Sequence, residues 1–127
     1  MTFINDSKGT NVAATVAALE GLKGPFVLIA GGQSKGADFS TLAAGARGRL
    51  IGAVLIGEAA EKLEGALSSS CPTRVAADLA AAVRLAWALA TTGTTILLSP
   101  ACASPDMFAD YVDRGEPDIA AGAELLR

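Results

Sequence analysis

The residues of this chain that could do chemistry fall into three short stretches. The first is Asn5-Asp6-Ser7-Lys8-Gly9-Thr10-Asn11, which gathers one carboxylate, one ammonium, two hydroxyls and two carboxamides just ahead of a helical pattern. The first turn of a helix presents backbone N–H groups without partners, and that suits an anion. The same residue types are the usual helix caps, so capping by Thr10 or Asn11 beside a solvated Asp6–Lys8 pair accounts for the stretch equally well.

The second stretch is Gly31-Gly32-Gln33-Ser34-Lys35-Gly36-Ala37-Asp38-Phe39. Its glycines permit close backbone approach, and Lys35 can reach an anionic group. The spacing fits neither the Gly-x-x-x-x-Gly-Lys phosphate loop nor the dinucleotide Gly-x-Gly-x-x-Gly pattern. Alone, it reads as a turn with an exposed lysine. The third stretch runs from Leu97 through Ser99-Pro100-Ala101-Cys102-Ala103-Ser104-Pro105 to Tyr111 and Asp113-Arg114-Gly115. Ser104 and Tyr111 offer hydroxyls there, although Tyr111, about two helical turns further on, is also placed for simple packing. Asp113 and Arg114 can pair with each other and do nothing more. Cys102 has no base to activate it and reads as a small core residue.

The remaining composition narrows the chemistry. There is no histidine among the 127 residues, which excludes a Ser-His-Asp triad, a Cys-His dyad and histidine-held metal or haem. Two cysteines cannot build a four-thiolate zinc site or a disulfide scaffold. A net charge of −3 gives no electrostatic reason to expect nucleic acid or an anionic membrane as partner. Any chemistry must rest on lysine, carboxylate, hydroxyl or backbone amide.

Positioning these stretches requires an alternation of strands and helices, and the apolar pattern supplies one. Strands are expected at Thr2 to Ile4, Phe26 to Ala30, Ile51 to Ile56, Thr73 to Ala76 and Thr94 to Leu98. Helices are expected over Val12 to Leu22, Ser40 to Arg47, Glu58 to Leu67, and from an Asp78 cap to about Ala90. Two more are expected over Asp106 to Val112 and Asp118 to Leu126. With 27 alanines and only six aromatic residues, the core must be built by close approach of small side chains. The length suits one domain over residues 1–127.

This pattern predicts a three-layer, Rossmann-like α/β domain whose mostly parallel sheet is covered by helices on both faces. Ligands of such sheets bind beyond the carboxyl ends of the strands, which is where the three stretches lie. The most apolar segment, Val75 to Thr91, contains Asp78 and Arg84 and is short for a membrane span. The start lacks a signal-peptide pattern, so a cytoplasmic location is expected.

Together, Asp6-Ser7-Lys8-Gly9-Thr10-Asn11, Gly31-Gly32 with Lys35-Gly36-Ala37-Asp38-Phe39, and Leu98 to Ser104 with Asp113-Arg114-Gly115 form an ordered set. In order and spacing the set resembles the carboxyl-terminal domain of the bacterial Mur ligases, specifically the D-glutamate-adding member. The similarity runs from about Phe3 to the end. The Asp-Asn-Pro-Arg motif of the diaminopimelate- or lysine-adding relatives does not occur in this chain.

The resemblance implies a cytoplasmic step of peptidoglycan synthesis. In it, ATP and Mg2+ convert the carboxylate of UDP-N-acetylmuramoyl-L-alanine into an acyl phosphate, and the amine of D-glutamate attacks. It implies that Lys35 pairs with a D-glutamate carboxylate, with Thr10, Ser104 and Tyr111 as further contacts. Asp6 and Lys8, with Asn11 as a neighbour, would approach ATP. The nucleotide-sugar-binding and central ATP-binding domains are missing from the chain. By that reading it holds no catalytic residue or metal ligand, binds neither ATP nor Mg2+ tightly alone, packs against the central domain, and is inactive by itself. The chain departs from the family pattern at Tyr111, where phenylalanine is common, at Pro105, which has no N–H to offer, and at Glu116-Pro117-Asp118. Two other readings remain at this point. One is a stand-alone nucleotide- or phosphate-binding module, and the other is a domain of an amide ligase that extends folate with glutamate.

Overall fold

Apolar runs bounded by glycine or proline become the strands of a single parallel sheet. A computed structural model of the chain describes residues 2–6 and 11–102. The elements follow in the order β1 (Thr2–Asn5), α1 (Val12–Gly21), β2 (Phe26–Gly31), α2 (Ser40–Ala46), β3 (Leu50–Ile56), α3 (Ala60–Leu67), β4 (Thr73–Val75), α4 (Leu79–Leu89) and β5 (Thr95–Leu98). The helices expected over residues 106–112 and 118–126 lie outside the described residues, as do Lys8, Thr10, Ser104, Pro105 and Tyr111.

The strands run in the order β1-β5-β2-β3-β4, and every pairing is parallel. β5 is hydrogen-bonded on both sides. Its Leu98 is level with Asn5 of β1 on one side and with Ile29 of β2 on the other. The helix α4 therefore carries the chain from β4 at one edge back across β3 and β2, and inserts β5 beside β1. This order brings the carboxyl ends of β1, β5 and β2 together, although their chain positions are far apart.

The alternation of side chains along each strand sorts the core into two layers. On one face Leu19, Leu42, Leu63 and Leu67 from α1, α2 and α3 pack with Phe26, Leu28, Leu55 and Leu97. On the other, Leu79, Ala82, Val83 and Ala86 of α4 cover Val27, Ile29, Val54, Ile56, Ile96 and Leu98. Each fully buried leucine or isoleucine contributes about 2 kcal/mol of apolar burial. Small residues set the helix spacing. A Cβ on Gly45 would stand 3.0 Å from Val16 Cγ1, so α1 and α2 meet where one of them has no side chain.

Two of the four described helices start at polar capping residues. Asn11, rather than Thr10, is the cap of α1, its side-chain oxygen accepting from the Ala14 N–H at 2.8 Å. Asp78 caps α4 through the Ala81 N–H at 2.8 Å. The third helix starts later than its apolar spacing suggests, at Ala60 rather than Glu58. The reason is that Gly57 takes a φ of +79°, and the Glu58 side chain is drawn away to the loop after β2.

Gly31 marks the tightest approach in the sheet. Its φ is +151°, and a Cβ there would fall 2.0 Å from the Ile56 carbonyl oxygen. Gly31→Ala is therefore expected to destabilise the domain by about 3 kcal/mol through overpacking and backbone strain. Urea unfolding of the variant beside the parent chain measures this.

Candidate functional site

The carboxyl edge of the sheet is assembled by main-chain bonds between segments that follow different strands. The Asp6 N–H donates to the Leu98 carbonyl at 2.7 Å, and the Gly31 N–H donates to the Pro100 carbonyl at 3.0 Å. The Ser99 N–H donates to the Ile29 carbonyl at 3.1 Å. The segment after β5 is thus tied to the segment after β1 on one side and to the loop after β2 on the other. All three chemically equipped stretches meet at this edge, as far as their described residues extend.

The loop after β2 is clamped from the β3 side. The Gly32 N–H donates to the Ile56 carbonyl at 3.2 Å, and the Gly32 carbonyl accepts from the Ala59 N–H at 2.9 Å. Glu58 then takes both donors of Ser34, the N–H at 2.9 Å and the hydroxyl at 3.2 Å. The Ala37 N–H closes the loop onto the Ser34 carbonyl at 2.8 Å. Between these anchors Lys35 is exposed and holds a φ of +44°, a left-handed conformation that costs a non-glycine residue about 1–2 kcal/mol. Such strain persists only where neighbours over-determine the backbone. Here the Ser34 bonds and Gly36, at φ +75°, do so.

Two carboxyl groups at this edge are already engaged. The Ser34 N–H, then its hydroxyl, then the charge of Lys62 hold the Glu58 carboxyl below its usual range. The Ser40 N–H and side chain do the same for Asp38, which accepts from that N–H at 2.9 Å. Asp6 is half-buried, and its Oδ2 lies 3.3 Å from Ser99 Oγ. Asn11 is exposed, but its side-chain oxygen is committed to the cap, which leaves the amide N–H donors for a ligand.

Cys102 is core, as expected for a cysteine with no base to activate it. It is 2% exposed, and burial, with the Glu58 charge adding to it, pushes its thiol up to about 11. Cys71 is also buried and free, with its thiol raised by burial. Among the described residues no three carboxylates, cysteines or histidines converge on one point. No helix among them is long and apolar enough to cross a membrane. A cleft of about 530 Å³ lined by Asp38, Phe39, Ser40, Arg47 and Lys62 opens between α2 and α3, and Asp6, Asn11 and Lys35 are not among the residues that line it.

The family model described as "Mur ligase, glutamate ligase domain" matches residues 1–102. The chain belongs to the Mur ligase family. Its relatives include proteins named UDP-N-acetylmuramoylalanine--D-glutamate ligase from three bacteria. That of Marinobacter nauticus is 54% identical over 90% of the chain and 26% of the relative. That of Chromohalobacter salexigens is 52% identical over the same shares. That of Bordetella pertussis is 53% identical over 97% of the chain and 24% of the relative. The chain spans about a quarter of the length of the Mur ligases it matches.

Of the residues expected to bind ligand, the structure describes Asp6, Asn11 and Lys35, all at the carboxyl edge of this Mur ligase domain. Lys8, Thr10, Ser104 and Tyr111 lie outside the described residues. Sequence reasoning gave no individual role to Glu58, Ser34, Thr15 or Ser99, although Ser34 and Ser99 lie within the stretches it singled out. Glu58 carried a usable signal, since it follows Gly57 at the end of a buried strand, the same kind of position that singled out the other three stretches. Thr15 and Ser99 gave none, because they meet across 84 positions of sequence.

The lowered Glu58 value sets the sign of a pH effect. A carboxyl whose folded pKa is depressed favours the folded loop above its unfolded value, and that contribution is lost as pH falls through the folded one. Hydrogen-exchange protection of the Ser34 N–H is expected to hold at pH 6 and to fall below about pH 4. In Glu58→Gln the protection is expected to change little as the pH is taken below about 4.

Proposed function

We propose that this chain is the amino-acid-binding domain of an ATP-dependent ligase that adds D-glutamate to UDP-N-acetylmuramoyl-L-alanine in cytoplasmic peptidoglycan synthesis. The observation that carries the reading is the strand order β1-β5-β2, which gathers the three equipped segments at one edge. The names of the relatives supply the substrate class.

In this reading Lys35 pairs with a carboxylate of D-glutamate, and Thr10, Ser104 and Tyr111 contribute hydroxyls. A dianionic amino acid needs a cation held in place rather than one on a mobile tether, and the clamp on Ser34 meets that need. The incoming amine then requires position more than proton transfer, which agrees with a domain that has no histidine. ATP and Mg2+, held in the parts of the ligase beyond this quarter, would supply the activation of the carboxylate of the nucleotide-linked substrate. Asp6, Lys8 and Asn11 face the nucleotide. Asp6 is acceptor-only when ionised, so it suits a hydroxyl or amino group of ATP, whereas Lys8 and the Asn11 amide suit its phosphates. The chain alone is expected to form no amide and release no ADP.

Two substitutions separate the ligand role of Lys35 from its backbone strain. In the full-length ligase, Lys35→Ala is expected to raise the KM for D-glutamate by about 10- to 100-fold, the loss of a charged hydrogen bond. The KM for UDP-N-acetylmuramoyl-L-alanine stays unchanged. Lys35→Gly has the same kinetic effect but relieves the left-handed backbone, leaving stability equal or raised by up to about 1 kcal/mol. An unaltered D-glutamate requirement in both variants would falsify the role given to Lys35.

A further inference from the structure

Two buried hydroxyls remain without a task in that reading. Thr15 lies in α1 and Ser99 directly follows β5, and both are fully buried at 0% exposure. A hydroxyl in such surroundings is tolerated when its hydrogen bonds are made, and an apolar residue of similar size would otherwise suit the position better. The two oxygens are 2.7 Å apart, and Ser99 Oγ is 3.3 Å from Asp6 Oδ2.

The chemistry of the groups fixes the direction of this chain. An ionised carboxylate only accepts, so Ser99 donates to Asp6. With its proton committed, Ser99 accepts from Thr15. One arrangement of protons satisfies all three residues, and it runs from α1 through the end of β5 to the segment after β1. The backbone of Asp6 is tied separately, through its N–H to the Leu98 carbonyl at 2.7 Å. That bond places the residue without setting the rotation of its carboxylate. The Ser99 hydroxyl sets the rotation by holding Oδ2, and Oδ1 is the oxygen it does not engage.

We propose that Ser99 and Thr15 are positioning residues that orient the Asp6 carboxylate, presenting its Oδ1 to a hydroxyl or amino donor of the nucleotide. The inference rests on the reading of Asp6 given above and names the residues that make it effective. Ser99 acts directly on the carboxylate. Thr15 acts through Ser99, by occupying the acceptor side of its oxygen and so turning its proton toward Asp6.

The test compares Ser99→Ala, Thr15→Val, Thr15→Ser and Asp6→Asn in the full-length ligase, with MgATP and D-glutamate varied in turn. Ser99→Ala is expected to raise the KM for MgATP about tenfold, with the KM for D-glutamate little changed. Thr15→Val, which removes the hydroxyl at nearly constant shape, is expected to raise it about threefold. Thr15→Ser, which keeps the hydroxyl, returns it toward the starting value. Adding Ser99→Ala to Asp6→Asn is expected to give no further rise, because both act through one carboxylate. A purely structural role would instead lower the melting temperature of Ser99→Ala and leave the MgATP requirement alone, and that result overturns the proposal. If Asp6→Asn itself leaves the MgATP requirement unchanged, the reading of Asp6 fails first. If Ser99→Ala does not fold, the contrast between Thr15→Val and Thr15→Ser decides, and equal MgATP requirements in those two overturn the proposal.

Discussion

A parallel strand in the interior of a sheet must find hydrogen-bond partners on both sides, and in this domain that requirement falls on β5. Its four residues pair with β1 on one side and with β2 on the other. The chain can meet the requirement only by returning from the far edge through α4. Once β5 is seated, the segments that follow β1, β5 and β2 have no choice but to share one rim. Their proximity is a consequence of backbone pairing, established before any side chain at the rim is considered.

The rim is then stiffened by polar groups with different burdens. On the β2 side an exposed carboxylate, Glu58, restrains a loop by collecting the two donors of Ser34. On the β1 side two buried hydroxyls and one half-buried carboxylate form a line with a single direction. The first arrangement is open to solvent and weakens in acid. The second is shielded by α1 and β5. In the proposed function the first side holds a cation and the second an acceptor.

Much of this was legible in the sequence. The runs Phe26 to Ala30 and Ile51 to Ile56 announced buried strands, and the Asp78 cap announced α4, because each depends on local pattern alone. The three equipped stretches were visible for the same reason. Strand order was not, since nothing in Thr95 to Leu98 says which neighbours it will choose. The late start of α3 was hidden because apolar spacing does not report that the Glu58 side chain is used elsewhere. The Thr15–Ser99 contact was hidden by its sequence separation, and both residues have ordinary local explanations, one as a helix residue and the other as a strand stop.

The burial of Cys102 bears on how this rim could be attacked by small molecules. A thiol raised to about 11 and 2% exposed offers almost no thiolate to an electrophile. Soft electrophiles designed for cysteine therefore have no handle among the described residues of the rim. Among those residues the side chain of Lys35 is exposed, on a backbone already locked in an unusual conformation. Covalent chemistry directed at the Lys35 amine would use reagents such as aldehydes or activated esters. Its selectivity would come from the shape of the clamped loop rather than from thiol reactivity.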